Sequence, residues 1–521
     1  MTLDAIRTLN DITRINAATA PDALAMVFDG RETTYGELDR CACKIANGLR
    51  ADGCADQARV AILDKNSDLF FELMFGAIKA GAVLVPVNWR LAAPEISAIV
   101  NDAKAEILFV GPLYFDVVDK IRADLKTVRK VVALSGSRPG WEAFAAWRDR
   151  QVDQDPMRPT ATDDVAIKLY TRGTTGLPKG VMLTHANFLA LLPTALEMWG
   201  GWTSREVVIV TMPLFHIAGS GWAIVAFYVG AVSVILPEVD PTRILDVIER
   251  HKITQALFVP AVILMLVQHP KCGVTDFSSL KNVVYGAAPI PTELLIQAMK
   301  ALGCGFIQVY GLTETTGAFT WLAASEHVPG SKRLLSCGKA FPGVELRVVE
   351  ADGRDCKVGQ VGEIVCRTPQ VMLGYAGKPE ETAKAIRGGW FHTGDAGYLD
   401  ADGYLFIHDR VKDMIVSGGE NVYPAEVESA IFGHPALSDV AVIGVPDDKW
   451  GEAVKAIVVL KPGATATEAE IIAYARERIA GYKLPKSVDI HLGPLPRNPS
   501  GKLLKRVLRA PYWEGRKRLV N

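Results

Sequence analysis

The chain has 521 residues, 49% of them hydrophobic and 22% charged, with a formal net charge of −1. That length exceeds what a single hydrophobic core serves, so several subdomains are expected in a soluble globular protein. A charge this close to zero removes the bulk electrostatic case for nucleic acid.

The N-terminal stretch "MTLDAIRTLND" has no apolar run of signal-peptide length. The eight cysteines are scattered without a C-x-x-C pair, and the closest two, Cys41 and Cys43, have no histidine cluster beside them. Reduced thiols in a cytoplasmic protein are the expectation, rather than zinc or a disulfide framework.

"TTYGELDRCACKIANGL" opens with Thr34 and carries Glu37, a capping-box helix start. "RVAILD" (Arg59–Asp64) predicts a strand, "DLFFELMFGAIKAG" (Asp68–Gly81) a helix with a glycine stop, and "VLVPVN" (Val83–Asn88) a strand. "AEILFVG" and "KVVALSG" continue the alternation, which indicates α/β architecture with largely parallel sheets. "DVAIKLY" (Asp164–Tyr170) predicts a strand running into "TRGTTGLPKG", after which "VMLTHANFLALL" predicts a short strand and then a helix.

Val207 through Pro237 contains no Asp, Glu, Lys or Arg. A bilayer span needs about 20 apolar residues, so the length alone permits one. Pro213, Gly219, Gly221, Gly230 and His216 interrupt the run, which instead predicts a buried loop, a buried helix (Trp222–Tyr228) and a buried strand (Ala231–Leu236). No integral membrane span is expected.

"LKNVVYGAAPIPTELLIQAMKALG" predicts a strand, a small-residue turn at Gly286–Pro289 and a helix closed by Gly303; "GFIQVYGLTETTG" predicts another strand running into a polar turn. Three strand C-termini thus carry unusual loops, and ligands bind at that edge of open α/β sheets. After about Leu335, "GVELRVVEADG", "VGEIVCRT" and "GWFHTGDAGYLDADGYLFIHDR" predict a small β-rich subdomain. A further unit follows, expected as helix, strand, helix, strand, with Arg410-Val411-Lys412 as the hinge. The expected division is 1–409, a hinge at 410–412, and 413–521. The basic C-terminus, from Lys502 to Arg518, is read as a solvated tail, with weak contact to an acidic membrane surface as the lesser reading.

The segment Tyr170–Gly180 has the chemistry of an anion cradle. Thr171, Thr174 and Thr175 offer hydroxyls, Gly173, Gly176 and Gly180 leave backbone N–H groups accessible, and Lys179 adds charge. It departs from G-x-x-x-x-G-K-[ST], because Gly180 follows Lys179. A flexible surface turn is the alternative for the loop taken alone. In "VYGLTETTG", Tyr310 suits stacking on a flat base, Thr313 suits a phosphate, and Glu314 suits Mg2+. Asp395 in "HTGD" suits ribose hydroxyls, and Lys502 in "RNPSGKLLK" sits at a turn tip. Singly, Glu314 and Lys502 read as solvated charges.

Together, "YTRGTTGLPKG", "YGLTETTG", "GWFHTGD", "DRVKDMIVSGGENVYPAEVE" and "PRNPSGK" resemble the ordered signatures of the adenylate-forming superfamily. That superfamily holds acyl-CoA synthetases, firefly-type luciferases and peptide-synthetase adenylation domains. The resemblance spans nearly the whole chain and is greatest to stand-alone fatty-acid and related carboxylic acid–CoA ligases. It implies a large N-terminal domain and a small mobile α+β C-terminal domain. It also implies two steps: attack of a carboxylate on the α-phosphate of MgATP, then attack of the coenzyme A thiol on the acyl-adenylate.

The resemblance assigns roles to residues. Lys502 contacts the carboxylate and α-phosphate, residues 171–179 hold the β- and γ-phosphates, and Glu314 with Thr313 serves metal and phosphate. Gly286, Ala287, Ala288 and Tyr310 match the adenine site, with Gly311 also among the ATP-binding positions; Asp395 and Arg410 match ribose contacts. Lys412 aligns with the hinge. Gly418 and Gly419 lie in the segment that approaches the site for thioester formation, and Arg90 and Trp450 match positions that touch the CoA nucleotide. His216 matches a position beside the acyl pocket, the alternative being a core histidine satisfied by backbone. The pocket is expected from Pro213–Trp222, Val259–Ala261 and the Gly286 turn. Its apolar, small lining favours a medium- or long-chain fatty acid, with an aryl acid second. No carrier domain follows, so free CoA is the expected thiol, with a carrier-protein thiol or oxygen as other acceptors. A homodimer is left open.

Arg172 stands where most members of that superfamily have Ser. A guanidinium there adds bulk and permanent charge to the phosphate loop. Two outcomes are open: the guanidinium points to solvent or binds the terminal phosphate bidentately, or it collides with the pyrophosphate or holds the loop shut. Weakened adenylation is the expectation, with a nucleotide-binding protein impaired in catalysis as the alternative function.

Overall fold

The computed structural model describes residues 3–172, 178–410, 414–417, 420–447, 450–498, 501 and 503–514. Two large sheets form the bulk of the fold. A nine-stranded sheet has a parallel centre of Gly305–Leu312, Asn282–Gly286, Gln255–Phe258, Val207–Val210, Val232–Ile235 and Leu24–Phe28. An eight-stranded sheet runs through Val165–Arg172, Val83–Pro86, Arg59–Leu63, Ala105–Val110 and Lys130–Ala133, also parallel. Parallel strands of this kind are buried on both faces, which is why they read as continuous apolar runs.

The helix Asp68–Lys79 lies between layers with nearly every residue buried. It packs on the helix Tyr35–Ala51, where a Cβ on Gly76 would come within 2.5 Å of Ile45. The Thr34 hydroxyl accepts from the Glu37 N–H and the Glu37 carboxylate accepts from the Thr34 N–H, the expected capping box. Thr184 and Asn187 do the same for the helix His185–Met198.

The uncharged stretch resolves into the strand Val207–Val210, the helix Ile217–Val229 and the strand Val232–Ile235. The helix is longer than expected because it starts directly after His216, whose backbone supplies the N-cap. Among the described residues no helix is long and apolar enough to cross a membrane.

The segment after Leu335 forms the expected β-rich unit, in which Glu345–Val349, Gly362–Arg367, Trp390–Leu399 and Leu405–Arg410 pair antiparallel. The last unit departs from the expected helix, strand, helix, strand. It opens with antiparallel strands Ile415–Ser417 and Glu420–Val422, and its centre is the long hairpin Leu437–Asp447 with Gly451–Leu460. Helices Pro424–Phe432 and Glu468–Arg476 and the strand Ser487–Ile490 complete an α+β layer over its own core.

All eight cysteines are free thiols. Among the described residues one acidic–thiol cluster has metal-like spacing, Asp39, Cys43 and Asp155. The buried Lys79 ammonium already pairs there with Asp39 at 3.0 Å and Asp155 at 2.5 Å.

Candidate active site

The strand expected to end at Tyr170 continues through Arg172 and pairs antiparallel with Pro178–Thr184, Arg172 opposite Pro178. The phosphate-loop candidate therefore connects two antiparallel strands, and the second is the short strand expected before the helix. Gly173, Thr174, Thr175 and Gly176 lie outside the described residues, as does the Arg172 side chain. Thr171 sits on the first strand and Lys179 on the second, directly across from it.

The other two loops leave the nine-stranded sheet side by side, since Gly286 pairs with Val309. A Cβ on Gly286 would lie 2.2 Å from the Val309 carbonyl oxygen, and one on Gly311 would lie 1.9 Å from the Gly317 oxygen. Both glycines are there because backbone passes too close for any side chain. Gly286→Ala is expected to cost about 1–3 kcal/mol, read from the urea midpoint, because the obstacle is backbone and cannot rotate away. Ala287 and Thr316 hold positive φ values of 65° and 55°. Left-handed backbone at non-glycine residues is a local strain that clusters at functional sites.

Tyr310, at the end of the strand Gly305–Leu312, donates its hydroxyl to Asp395 Oδ2 at 2.7 Å. The adenine and ribose candidates are thus joined directly. Asp395 is buried, on the strand Trp390–Leu399, and Arg410 lies opposite it in register on Leu405–Arg410. Glu314 lies in the turn Thr313–Thr315 and accepts from the Tyr375 hydroxyl at 2.9 Å through Oε1. Its other oxygen has no partner among the described residues, so a hard ligand is available to a cation. Ala288 is part of the same small-residue turn as Gly286.

Tyr375 also lies under Lys179, whose ammonium is 4.9 Å from the ring centroid. Lys179 forms an ion pair with Glu381. The sequence reading missed Tyr375 and Glu381. The signal was present in "GYAGKPEET", an aromatic followed by a proline-started helix, but nothing local says which lysine it meets.

His216 and Arg90 come together around two aromatics. The Arg90 guanidinium stacks on Trp89 at 4.3 Å, Trp89 meets Phe215 edge-on at 6.4 Å, and Phe215 lies 4.7 Å from His216. His216 Nε2 is sealed from solvent with no hydrogen-bond partner among the described residues, which does not match a core histidine satisfied by backbone. Burial, and then the nearby Arg90 charge, push its pKa down to about 4, so the ring is neutral at physiological pH. Ile217 and Leu191 converge on Gly317, as a Cβ there would lie 3.8 and 3.6 Å from them. Apolar walls therefore meet the end of the Glu314 turn.

The C-terminal unit closes against this edge. A Cβ on Gly501 would lie 2.8 Å from Val259 and 3.3 Å from Ala261, the expected pocket wall. Arg497 holds that turn, donating to the Gly501 carbonyl at 3.0 Å while paired with Asp439 at 2.7 Å. A cavity of about 60 Å³ remains in the seam, bordered by Ala261, Ile290, Phe432 and Leu503. Lys502, Lys412, Gly418 and Gly419 lie outside the described residues. Trp450 is 41% exposed at the turn of the long hairpin.

Comparison with known proteins agrees with this geometry. Residues 13–376 match the family described as AMP-binding enzyme, and residues 426–502 match the AMP-binding enzyme C-terminal domain. The chain is 40% identical over 520 residues to a fatty acid–[acyl-carrier-protein] ligase, ScoC, of Streptomyces coeruleorubidus, covering 99% of this chain and 98% of the relative. It is 38% identical to a long-chain-fatty-acid–CoA ligase, FadD13, of Mycobacterium tuberculosis, covering 92% and 93%. The solved structure of an anthranilate CoA ligase with anthranoyl-AMP superposes with a TM-score of 0.90 at 28% identity, covering 98% of this chain and 99% of that one.

Proposed function

Because the chain belongs to the AMP-binding enzyme family, we propose that it is an ATP-dependent carboxylic acid–CoA ligase working through an acyl-adenylate. The observation that carries this is the convergence of Lys179, Glu314, Tyr310 and Asp395, from two sheets and the β-rich unit, on one edge. Each has the chemistry one part of ATP needs.

A carboxylate is a poor nucleophile toward a polyanion, since both are negative. Fixed cations in a preorganised site offset that repulsion. In this reading Lys179 and the hairpin tip take the pyrophosphate end, and Tyr310 lies against the base. Asp395, oriented by the Tyr310 hydroxyl, accepts from the ribose. Lys502 sits on the carboxylate and α-phosphate. Glu314 and Thr313 would hold Mg2+, which screens phosphate charge when bound. No general base is required, because a carboxylic acid with a pKa of about 4 is already ionised at pH 7. The neutral His216 then borders the acyl group without adding a charge that would trap a free acid.

The two units, hinged at 410–412, are read as rotating between the steps, so that the segment at 418–419 replaces Lys502. The aromatic run from Arg90 to His216 supports CoA entry from that side, with Trp450 on the moving unit. The use of ATP and CoA supports the cytoplasmic reading. A medium- or long-chain fatty acid is the favoured acid, from the apolar walls at Ile217 and Leu191. An aryl acid is second, supported by the anthranilate CoA ligase likeness. A carrier-protein thiol is the second acceptor reading, supported by the 40% identical relative.

Arg172 tests how well the hairpin grips phosphate. Arg172→Ser is expected to raise the rate of acid-dependent ATP–pyrophosphate exchange severalfold. Equal rates would show that the guanidinium costs nothing. The acid is found with a panel of carboxylates assayed for AMP release with and without CoA.

A further inference from the structure

The hairpin lysine and the turn carboxylate are joined by a strap that neither motif contains. The short strand Gly374–Tyr375 pairs with the strand carrying Lys179, Tyr375 opposite Val181. The Tyr375 N–H donates to Thr382 Oγ1 at 2.9 Å, and that hydroxyl donates to the Lys378 carbonyl at 2.9 Å. These bonds pin the helix Pro379–Ala385 against the hairpin with Glu381 on Lys179. The same Tyr375 hydroxyl reaches Glu314. A continuous line runs from Glu381 through the Lys179 ammonium and the Tyr375 ring to Glu314.

Lys179 is therefore already neutralised before any nucleotide arrives. The nearby lysine holds the Glu381 carboxyl below its usual range, so it is ionised at neutral pH, with Lys384 and Lys378 adding to that field. The paired side chains are 13% and 29% exposed, close enough to water for another anion to displace the carboxylate.

Resting on the nucleotide reading above, we propose that Glu381 is a built-in competitor for the pyrophosphate end of ATP. It holds Lys179 until phosphate oxygens displace it, and it takes the lysine back as pyrophosphate leaves. The strap makes this an exchange of one anion for another at a fixed cation. It lowers the grip on product as well as on substrate.

The test is calorimetric binding of magnesium pyrophosphate and of AMP to the full chain, in the wild type, Glu381→Gln and Glu381→Asp. Glu381→Gln is expected to bind pyrophosphate about two- to fivefold tighter, the range of a partly exposed ion pair. AMP, which lacks the β- and γ-phosphates, is expected to bind unchanged. Glu381→Asp retracts the charge by one methylene and shifts pyrophosphate in the same direction, giving the sign on its own if the Gln variant unfolds. Pyrophosphate affinity that is unchanged or weaker overturns the proposal, as does tightening of AMP by the same factor. A wild-type chain that binds neither ligand overturns the nucleotide reading and the latch with it. One that binds both, with no Glu381 effect, overturns only the latch.

Discussion

Glu314→Gln is expected to lower acid-dependent ATP–pyrophosphate exchange by about 10²–10³-fold while leaving the thermal unfolding midpoint nearly unchanged. The two readouts separate because of what the side chain touches. Its one hydrogen bond among the described residues comes from the Tyr375 hydroxyl. A glutamine keeps a carbonyl oxygen to accept that bond, so the turn Thr313–Thr315 stays in place. The substitution removes only the negative charge that, in the proposed role, is offered to a cation at the phosphates. Loss of one preorganised electrostatic contact at developing charge carries an effect of that size. A variant within about threefold of wild type would show that Glu314 is a solvated turn residue.

Lys502→Ala is expected to divide the reaction. On the proposed role, in which the lysine contacts the carboxylate and α-phosphate in that step alone, adenylation falls by about 10²-fold or more. Thioester formation from acyl-adenylate supplied in advance is expected to proceed at close to the wild-type rate if, as proposed, the C-terminal unit rotates between the steps and takes the lysine away before CoA attacks. Single-turnover measurements of each half-reaction check this. Equal losses in both would contradict a mobile unit that presents different residues in turn.

The candidate site residues are legible in the sequence because the chemistry proposed for them is local. A lysine among glycines and threonines, a Tyr-Gly-x-Thr-Glu turn and a Gly-Asp pair each announce a ligand type within a few residues. What escaped were contacts that only the folded topology creates. Tyr375 reaches Glu314 across 61 positions and Glu381 reaches Lys179 across 202. No periodicity records either. The Tyr310–Asp395 bond spans 85 positions and links two residues whose roles were read separately.

Boundaries failed where tertiary pairing extended a pattern. The strand expected to stop at Tyr170 goes on to Arg172, because Thr171 and Arg172 find partners in Lys179 and Pro178. The C-terminal order was misread at "IVSGGENV". Two glycines between short apolar runs are a hairpin signal as well as a functional one, and Ser417 indeed pairs with Glu420. The helix after His216 was expected too late because Gly219 and Gly221 read as breakers. Gly219 is instead required, since a Cβ there would lie 2.3 Å from the Pro213 oxygen.

The central claim is activation of a carboxylate by adenylation followed by transfer to CoA, and one assay measures both halves. The chain is incubated with ATP, Mg2+, labelled pyrophosphate and each member of a fatty-acid and aryl-acid series, and ATP–pyrophosphate exchange, AMP and thioester are quantified with and without CoA. The account predicts acid-dependent pyrophosphate exchange without CoA, and stoichiometric AMP and acyl-CoA once CoA is added. Turnover to AMP that ignores CoA and yields no thioester would contradict it.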